Sequence, residues 1–306
     1  MRIVSLIASS TEIVCALDKG DELVGRSHEC DFPAWVKSLP SVTAPKFPTD
    51  GTSYEIDQRV KAIVQEGLAV YRVDAAALEA LRPDVIITQS QCEVCAVSTK
   101  DVEAAVCQII GSRPRIVSLE PNALDDIWRD IARVAEALGV AERGRTLVAA
   151  LQGRMDAVAV RARTAATRPT VACIEWVEPL MAAGNWMPTL VELAGGTNLF
   201  GSAGKHSPWM SFDELVARDP EIIVVLPCGY DVARAAEDLP LLERQPRWRS
   251  LRAVAAGRVY VADGNRYFNR PGPRVVESLE ILAELIHPDL FPPRHADAYI
   301  AAGTQL

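Results

Sequence analysis

The first third of the chain alternates short apolar runs with amphipathic stretches. The apolar runs are Arg2–Leu6, Leu23–Gly25, Ala69–Val73, Asp84–Thr88 and Arg115–Leu119. Apolar residues at helical spacing lie between these runs, at 9–17, 54–66, 74–81 and 99–110. Uninterrupted apolar runs predict strands that are covered on both faces, and Ser9 and Glu12 have capping-box spacing at the first helix. The alternation predicts an N-terminal α/β lobe over residues 1–120.

The last part of the chain repeats this alternation. Its strand-like runs are Thr170–Ile174, Glu221–Leu226 and Val259–Ala262, and its helical patterns are Pro188–Gly195, the segment from Ser211, and Arg274–Ile286. Ser211 and Glu214 again have capping-box spacing. The segments Arg82–Ile87 and Asp219–Val224 echo one another, because each joins a helix end, a proline, an acid and a buried strand. We therefore expect a second α/β lobe over residues 166–306.

The segment between the two lobes has a different pattern. Apolar residues recur at spacings of three and four from Leu124 to Leu138, and the helical pattern continues to residue 165. A helix of this length spans on the order of 60 Å. We therefore expect one long backbone helix over residues 121–165 that joins the lobes, with Gly139 and Gly144 as candidate bends.

Charge and composition narrow the range of partners. The 306 residues carry a net charge of −8, which gives no reason to expect nucleic acid or an anionic membrane as a partner. No apolar run approaches the length of about 20 residues that spans a bilayer. Met1 and Arg2 lead into a stretch that is too short and too polar for a secretory signal, and the seven cysteines are an odd number. We therefore expect a cytoplasmic protein without membrane insertion.

Seven stretches match a known family in content and order. They are RIVSLIASSTEIVCAL, GRSHECDFP, LEALRPDVIITQ, RIVSLEPNALDDIW, VELAGGTNLF, SFDELVARDPEIIVV and VYVADGNRYFNRPGPRVVESLEIL, from residue 2 to about 285. In them the chain resembles the helical-backbone (class III) substrate-binding proteins of ABC importers, especially those that bind cobalamin. The resemblance implies two Rossmann-like lobes with a ligand cleft between them and a non-catalytic protein that binds a corrinoid. Heme and ferric siderophores, which the same fold also holds, are alternative ligands.

The resemblance also implies which residues face the ligand. In the family, aromatic side chains from loops after the strands clasp the corrin ring, and these positions match His28 and Tyr267 here. Further aromatic candidates in such loops are Trp176, Trp186 and Phe268. Arg266 and Arg270 stand beside them, and forked guanidinium donors suit the polar groups at a corrinoid rim. Salt bridges that hold the last loop are the alternative role of these arginines.

Two positions depart from the importer pattern. Family members present an acidic residue from each lobe to the membrane subunits, and the matching positions here are Thr99 and Asn269. Docking to an ABC permease is therefore doubtful, and cytoplasmic storage, delivery or sensing of a corrinoid is the preferred function. An importer receptor for cobalamin, heme or a ferric siderophore is the alternative.

A cysteine pair raises another alternative. Cys92 and Cys95 form a Cys-x-x-Cys motif, and His28 and Cys30 lie in a second predicted cleft loop. These four residues together would suit zinc or an iron–sulfur cluster in a metal-site protein or enzyme. Ordinary buried or loop thiols are the other interpretation. His28 alone is also a candidate axial ligand of a corrinoid cobalt or a heme iron.

Motifs of common enzyme classes are absent from the sequence. It contains no Gly-x-Ser-x-Gly, no phosphate-binding glycine-rich loop followed by Lys-Ser/Thr, and no His-Glu-x-x-His. We therefore expect a binding protein rather than an enzyme.

Overall fold

The structure is a computed structural model, and it describes residues 1–65, 70–90 and 114–303. The chain divides into two compact units. The first comprises Met1–Gly51, Glu55–Pro121 and Asp125–Ala150, and the second comprises Thr52–Tyr54, Asn122–Leu124 and Leu151–Leu306. None of the helices in the described ranges is long and apolar enough to cross a lipid bilayer.

Helices and strands follow one another in both units. The helices are α1 (Ala8–Ala16), α2 (Ser53–Gln65), α3 (Ala75–Leu81), α4 (Leu124–Ala137), α5 (Ala141–Ala162), α6 (Met187–Leu193), α7 (Phe212–Arg218), α8 (Val232–Glu243), α9 (Arg252–Ala255) and α10 (Val275–Ile286). The strands are β1 (Ile3–Ser5), β2 (Leu23–Arg26), β3 (Thr43–Pro45), β4 (Tyr71–Val73), β5 (Val85–Gln89), β6 (Arg115–Leu119), β7 (Thr170–Trp176), β8 (Met181–Ala182), β9 (Thr197–Asn198), β10 (Ile222–Val225), β11 (Val259–Ala262) and β12 (Tyr299–Ala301). Short helical turns cover Gly20–Glu22, Ala34–Ser38, Trp248–Ser250 and Gly264–Phe268.

The main sheet of the first unit has four parallel strands in the order β2-β1-β5-β6. Every residue of β1 and β5 is buried, as expected for strands whose sequences are mainly apolar. The chain leaves β1 toward β2 on one side, and it leaves β5 toward β6 on the other. The carboxyl ends of β1 and β5 therefore form the switch point, where ligands bind in open α/β sheets.

The second unit contains a six-stranded mixed sheet. Its main path is β12-β11-β10-β7-β8, and β9 pairs with β7. The strands β7, β10 and β11 are parallel, while β8 and β12 run antiparallel to their neighbours. The switch point lies between β7 and β10, because the chain continues to β8 on one side and to β11 on the other. The prediction of two α/β halves with mainly parallel sheets is confirmed.

The prediction of one continuous helix over 121–165 is wrong, because this segment forms α4 and α5 with a break between them. Gly139 lies in the break with a left-handed backbone at φ +71°. The N–H of Val140 donates to the carbonyl oxygen of Ala135 at 2.8 Å, as in a Schellman cap. Glycine adopts this conformation without steric cost, so Gly139 ends α4. Gly144 lies within α5, where a methyl group would collide with the Cβ atom of Ala135.

Of the two predicted capping boxes, the one at Ser211 is confirmed and the one at Ser9 is wrong. Ser211 and Glu214 form the predicted reciprocal hydrogen bonds at the start of α7. The predicted cap at Ser9 is wrong, because α1 begins at Ala8 and its N-cap is Ile7. Ser9 is therefore the second residue inside the helix, and no side chain caps this helix start.

The predicted similarity between the segments that begin at Arg82 and Asp219 is also present in their backbone conformation. Arg82 follows α3 and Asp219 follows α7, and both have a left-handed conformation with φ of +43°. In each case a proline and a buried strand come next, β5 after Arg82 and β10 after Asp219. A left-handed cap without glycine is uncommon, so its occurrence at matching places supports the prediction that the two units are built alike.

Candidate functional site

The loops that follow the parallel strands carry most of the predicted site residues. In the first unit these loops include the start of α1 and the segment after β2, and in the second they include the segments after β7, β10 and β11. The carboxyl ends of parallel strands share one edge of a sheet. Each unit therefore offers a binding edge beside its own switch point.

His28 lies in the loop after β2, and Thr43 fixes the orientation of its ring. The imidazole Nδ1 lies 2.7 Å from Thr43 Oγ1, and the backbone N–H of His28 donates to the same oxygen at 3.0 Å. Thr43 donates its own proton to Ser27 Oγ at 3.0 Å. Since a hydroxyl has only one proton, His28 Nδ1 is the donor in its bond to Thr43. The ring lone pair is therefore assigned to Nε2.

The Nε2 atom of His28 has no hydrogen-bond partner within the part of the chain that the structure describes. Burial of the ring, and to a smaller extent the charge of Arg26, lower the pKa of His28. The imidazole is therefore neutral at neutral pH and keeps its Nε2 lone pair. An imidazole held through its Nδ1–H is the usual form of a metal-coordinating histidine.

Tyr71 and Glu29 complete this cluster. The rings of Tyr71 and His28 form an edge-to-face contact with centroids 4.8 Å apart, and Tyr71 Oη donates to Glu29 Oε1 at 2.7 Å. Thr43 lies on β3 and Tyr71 on β4, and these strands form a two-stranded antiparallel sheet. The sequence alone did not predict a role for Glu29, Thr43 or Tyr71. The only signal for Tyr71 was an aromatic residue inside a predicted strand.

Cys30 is buried beside α1, and its sulfur lies 3.0 Å from Thr11 Oγ1. Its proposed partners Cys92 and Cys95 lie outside the described residues. Within residues 1–65, 70–90 and 114–303, no group of three or more His, Cys, Asp or Glu side chains could hold a metal ion. A zinc or iron–sulfur site with His28 therefore stays a prediction.

In the second unit, Trp176 lies at the end of β7 against Tyr230 in the loop after β10. Their ring centroids are 5.2 Å apart. The guanidinium of Arg234 lies 4.2 Å from the centre of the Tyr230 ring, and its Nη2 donates to Tyr230 Oη at 3.1 Å. Burial raises the pKa of Tyr230 to about 12, so its phenol stays protonated. Trp176 and Tyr230 form an aromatic pair at the switch point, although only Trp176 was predicted.

Trp186 and Phe268 lie in the interior of the second unit. Trp186 is 5% exposed and Phe268 is fully buried. Trp186 Nε1 donates to the carbonyl oxygen of Phe268 at 3.2 Å, which ties the start of α6 to the turn after β11. The structure thus gives both side chains a packing role. Their contact with a ligand stays a prediction.

The predicted arginines of the last loop have partners within the second unit. The guanidinium of Arg266 lies 4.9 Å from the ring centre of Tyr267, which is 3% exposed, and it pairs with Asp297 at 2.6 Å. Arg270 donates to Asn265 Oδ1 at 3.1 Å. The salt bridge of Arg266 matches the alternative role named above. A role of Tyr267, Arg266 and Arg270 in ligand binding stays a prediction.

Of the two predicted docking positions, the structure describes only Asn269. Thr99 lies outside the described residues. Asn269 donates through Nδ2 to the carbonyl oxygens of Leu226 at 3.1 Å and Gly264 at 3.2 Å. Its side chain therefore holds the loop after β11 against β10.

Comparison with known proteins places this architecture in a family. The family model described as periplasmic binding protein matches residues 3–265. The chain is 23% identical over 298 residues to an uncharacterized ABC transporter substrate-binding lipoprotein of Bacillus subtilis (strain 168), with 95% of this chain and 81% of the relative covered. It is 26% identical over 227 residues to the vitamin B12-binding protein of Yersinia pestis (strain Pestoides F), with 73% and 69% covered.

The fold is also similar to solved structures of this kind. A periplasmic heme-binding protein from Pseudomonas aeruginosa superposes with a TM-score of 0.73 at 22% identity, over 100% of this chain and 99% of that one. The family match covers most of the chain, from β1 into the turn after β11. The predicted resemblance and the predicted absence of catalysis are confirmed by this match. The chain therefore belongs to the periplasmic binding protein family, whose members bind solutes and are not enzymes.

Proposed function

We propose that this protein binds a corrinoid of the cobalamin type and does not transform it. One relative is a vitamin B12-binding protein, and one protein of similar fold is a heme-binding protein. Both ligands are flat macrocycles with a metal at the centre. The side chains of the two binding edges support a metal macrocycle as the ligand and favour a corrinoid over heme.

The arrangement of His28 carries the proposal. Its Nδ1–H is held by Thr43, and its Nε2 keeps an unpaired lone pair in a half-buried loop. This geometry suits an axial nitrogen ligand to the metal of a macrocycle. The Trp176–Tyr230 pair in the second unit offers aromatic surface of the kind that packs on a flat ring.

The charges of the second unit favour a corrinoid over heme. Heme carries two propionate carboxylates, whereas the rim of a cobalamin carries neutral amides. Arg234 already pairs with Asp238 at 3.1 Å, and Arg266 pairs with Asp297 at 2.6 Å. These guanidinium groups would have to leave an internal carboxylate to neutralise a propionate. A neutral amide rim can instead bind to them without breaking an ion pair.

Spectroscopic titration tests the proposal. We expect ligand-free protein titrated with aquocobalamin to shift the visible absorption bands, with an endpoint at one equivalent. His28→Ala should remove most of the shift and weaken binding by about tenfold or more, as loss of a metal ligand does. The matched control is His206→Ala, because His206 is an exposed histidine of the second unit. This control should titrate like the wild type.

A parallel titration with hemin separates the two macrocycles. Tight binding of hemin without any response to aquocobalamin would overturn the corrinoid assignment. An equal affinity of the wild type and His28→Ala for aquocobalamin would remove the axial role of His28. Binding of neither ligand would exclude both macrocycles.

A substrate-binding role for an ABC importer is the second candidate. The Bacillus subtilis relative with that description aligns with 95% of this chain. A cytoplasmic location, with storage or delivery as the role, stays a prediction. Fractionation of native cells distinguishes these two roles. Recovery of the protein in the cytosol favours storage or delivery, and its recovery outside the cytoplasmic membrane favours import.

The metal-site alternative needs its own measurement. Zinc or iron at about one equivalent in anaerobically purified protein, lost on Cys92→Ser, would favour the Cys-x-x-Cys site over corrinoid binding. Metal-free protein that binds aquocobalamin normally would exclude this alternative.

A further inference from the structure

The N-terminus of α1 carries buried polar groups that lack partners. Within the described ranges, no hydrogen-bond acceptor serves the backbone N–H groups of Ala8, Ser9 and Ser10. The first helical bond runs from the N–H of Thr11 to the carbonyl oxygen of Ile7, and no side chain caps the helix. All three N–H groups belong to buried residues. Free N–H groups at a buried helix start are normally satisfied by a side chain, a water molecule or a ligand.

The hydroxyl group of Ser9 is a second, independent donor at this place. Ser9 is 1% exposed, and its Oγ has no hydrogen-bond partner among the residues that the structure describes. The neighbouring hydroxyls differ, since Ser10 donates to the carbonyl oxygen of Ile7 at 3.0 Å and Thr11 donates to Ser5 at 2.7 Å. The Cα–Cβ bonds of a helix tilt toward its N-terminus, from which we infer that the Ser9 hydroxyl lies on the side of the free N–H groups.

The position in the sheet matches a ligand site. α1 begins directly after β1, whose carboxyl end forms the switch point of the first sheet together with β5. The helix dipole places a partial positive charge at this end, which favours an anion. Three backbone N–H groups and one hydroxyl are donors of the kind that bind phosphate oxygens.

We propose that the N-terminus of α1, together with Ser9 Oγ, binds a phosphate oxyanion. The identity of the carrier rests on the proposed function, under which this oxyanion is the phosphodiester in the nucleotide loop of a cobalamin. Heme has no phosphate, and neither has cobinamide, the corrinoid without the nucleotide. The site therefore selects complete cobalamins over corrinoids that lack the nucleotide loop.

The test compares cobalamin and cobinamide as ligands of the whole protein. We expect the wild type to bind cobalamin at least about tenfold more tightly than cobinamide. In Ser9→Asp, a carboxylate on the second residue of α1 takes the place of the oxyanion and repels it. This variant should lose the preference for cobalamin and keep its affinity for cobinamide.

Two further variants separate binding from folding. Ser9→Ala removes a hydroxyl that makes no internal bond, so its thermal midpoint should equal or exceed that of the wild type while the cobalamin preference falls. Thr11→Val is the matched control, since the Thr11 hydroxyl bonds to Ser5 and its N–H already bonds to Ile7. It should lower the thermal midpoint and leave the ratio of the two affinities unchanged.

Inorganic phosphate tests the oxyanion site at α1 independently of corrinoid binding. We expect millimolar phosphate to raise the thermal midpoint of the wild type and not that of Ser9→Asp, and to weaken cobalamin binding by competition. If neither corrinoid binds but phosphate still stabilises the wild type alone, the corrinoid function fails and the oxyanion site stands. Equal affinities of the wild type for cobalamin and cobinamide would exclude the phosphodiester as the oxyanion. The absence of any phosphate effect in addition would exclude the site.

Discussion

Asp130 on α4 is a buried carboxylate with two polar contacts. It is 2% exposed, it accepts a hydrogen bond from the backbone N–H of Glu120 at 3.0 Å, and it pairs with Arg133 at 3.2 Å. Burial raises the pKa of Asp130 to about 6, although the bond from Glu120 and the charge of Arg133 act in the opposite direction. The carboxylate thus ties the end of β6 to α4 at the expense of desolvating a charge.

This raised pKa predicts a pH dependence of stability. Between the ordinary value of 3.8 and about 6, the folded protein binds more protons at Asp130 than the unfolded chain does. The free energy of unfolding therefore falls by about 3 kcal/mol as the pH rises through this window. Asp130→Asn should lack this contribution. Urea unfolding at about pH 4 and about pH 7 measures it, and an identical pH dependence in the variant would contradict the prediction.

Thr43 is predicted to act on the ligand through His28. Thr43→Val keeps the shape of the side chain but removes the oxygen that accepts the Nδ1 proton, so the imidazole loses its fixed tautomer and orientation. We expect cobalamin binding to weaken by about tenfold, as for other changes next to a metal ligand. Thr43→Ser is the matched control, because it retains the hydroxyl. Equal affinities of the two variants would show that Thr43 does not position His28.

At the scale of the helices, we expect two glycine-to-alanine substitutions, one at the end of α4 and one inside α5, to have opposite effects on stability. Gly139→Ala should destabilise the protein by about 1–2 kcal/mol, because alanine disfavours the left-handed conformation that ends α4. Gly153→Ala should stabilise it by about 0.5–1 kcal/mol, since this exposed residue lies inside α5 and its added methyl meets no atom. Chemical denaturation of both variants measures the difference. The same sign for both would argue against a cap at Gly139.

Sequence patterns were sufficient to predict the buried strands but not the exact ends of the helices. The strands Val85–Gln89 and Ile222–Val225 were predicted as buried because a short, uninterrupted apolar run is typical of a strand with both faces covered. Gly139 was expected as a bend, but a complete break between two helices was not, because the apolar periodicity continues across Gly139 and only the backbone conformation differs. The capping box at Ser9 was predicted wrongly for a related reason. Its spacing to Glu12 is correct, but the helix already begins at Ala8, one residue before Ser9, and its N-cap is Ile7.

At the scale of the whole molecule, the candidate site could be predicted only in part. His28 and Trp176 came from positions in loops and from family resemblance. Thr43 and Tyr230 did not, because their importance arises from contacts that the chain makes only when folded. Thr43 meets His28 across 15 positions of sequence, and no local pattern indicates that pairing.

Ligand binding is expected to raise the stability of the whole protein. A free cobalamin concentration of 100 times Kd should add about 2.7 kcal/mol to the free energy of unfolding. At the same free concentration, a His28→Ala variant that binds tenfold more weakly should gain about 1.4 kcal/mol less. Thermal midpoints with and without ligand measure both gains. Equal gains in the two proteins would place the ligand away from His28.

The matching left-handed caps at Arg82 and Asp219 bear on the ancestry of the chain. Two α/β halves that share the same uncommon helix end, the same following proline and the same buried strand are what a duplicated half-length gene would leave behind. In such a history the strands keep the common plan, and the loops after them diverge. A histidine held by a threonine is found in one half, and a tryptophan–tyrosine pair is found in the other. Comparing the two halves of the chain with each other would then distinguish the structure that both inherited from the binding residues that each half acquired later.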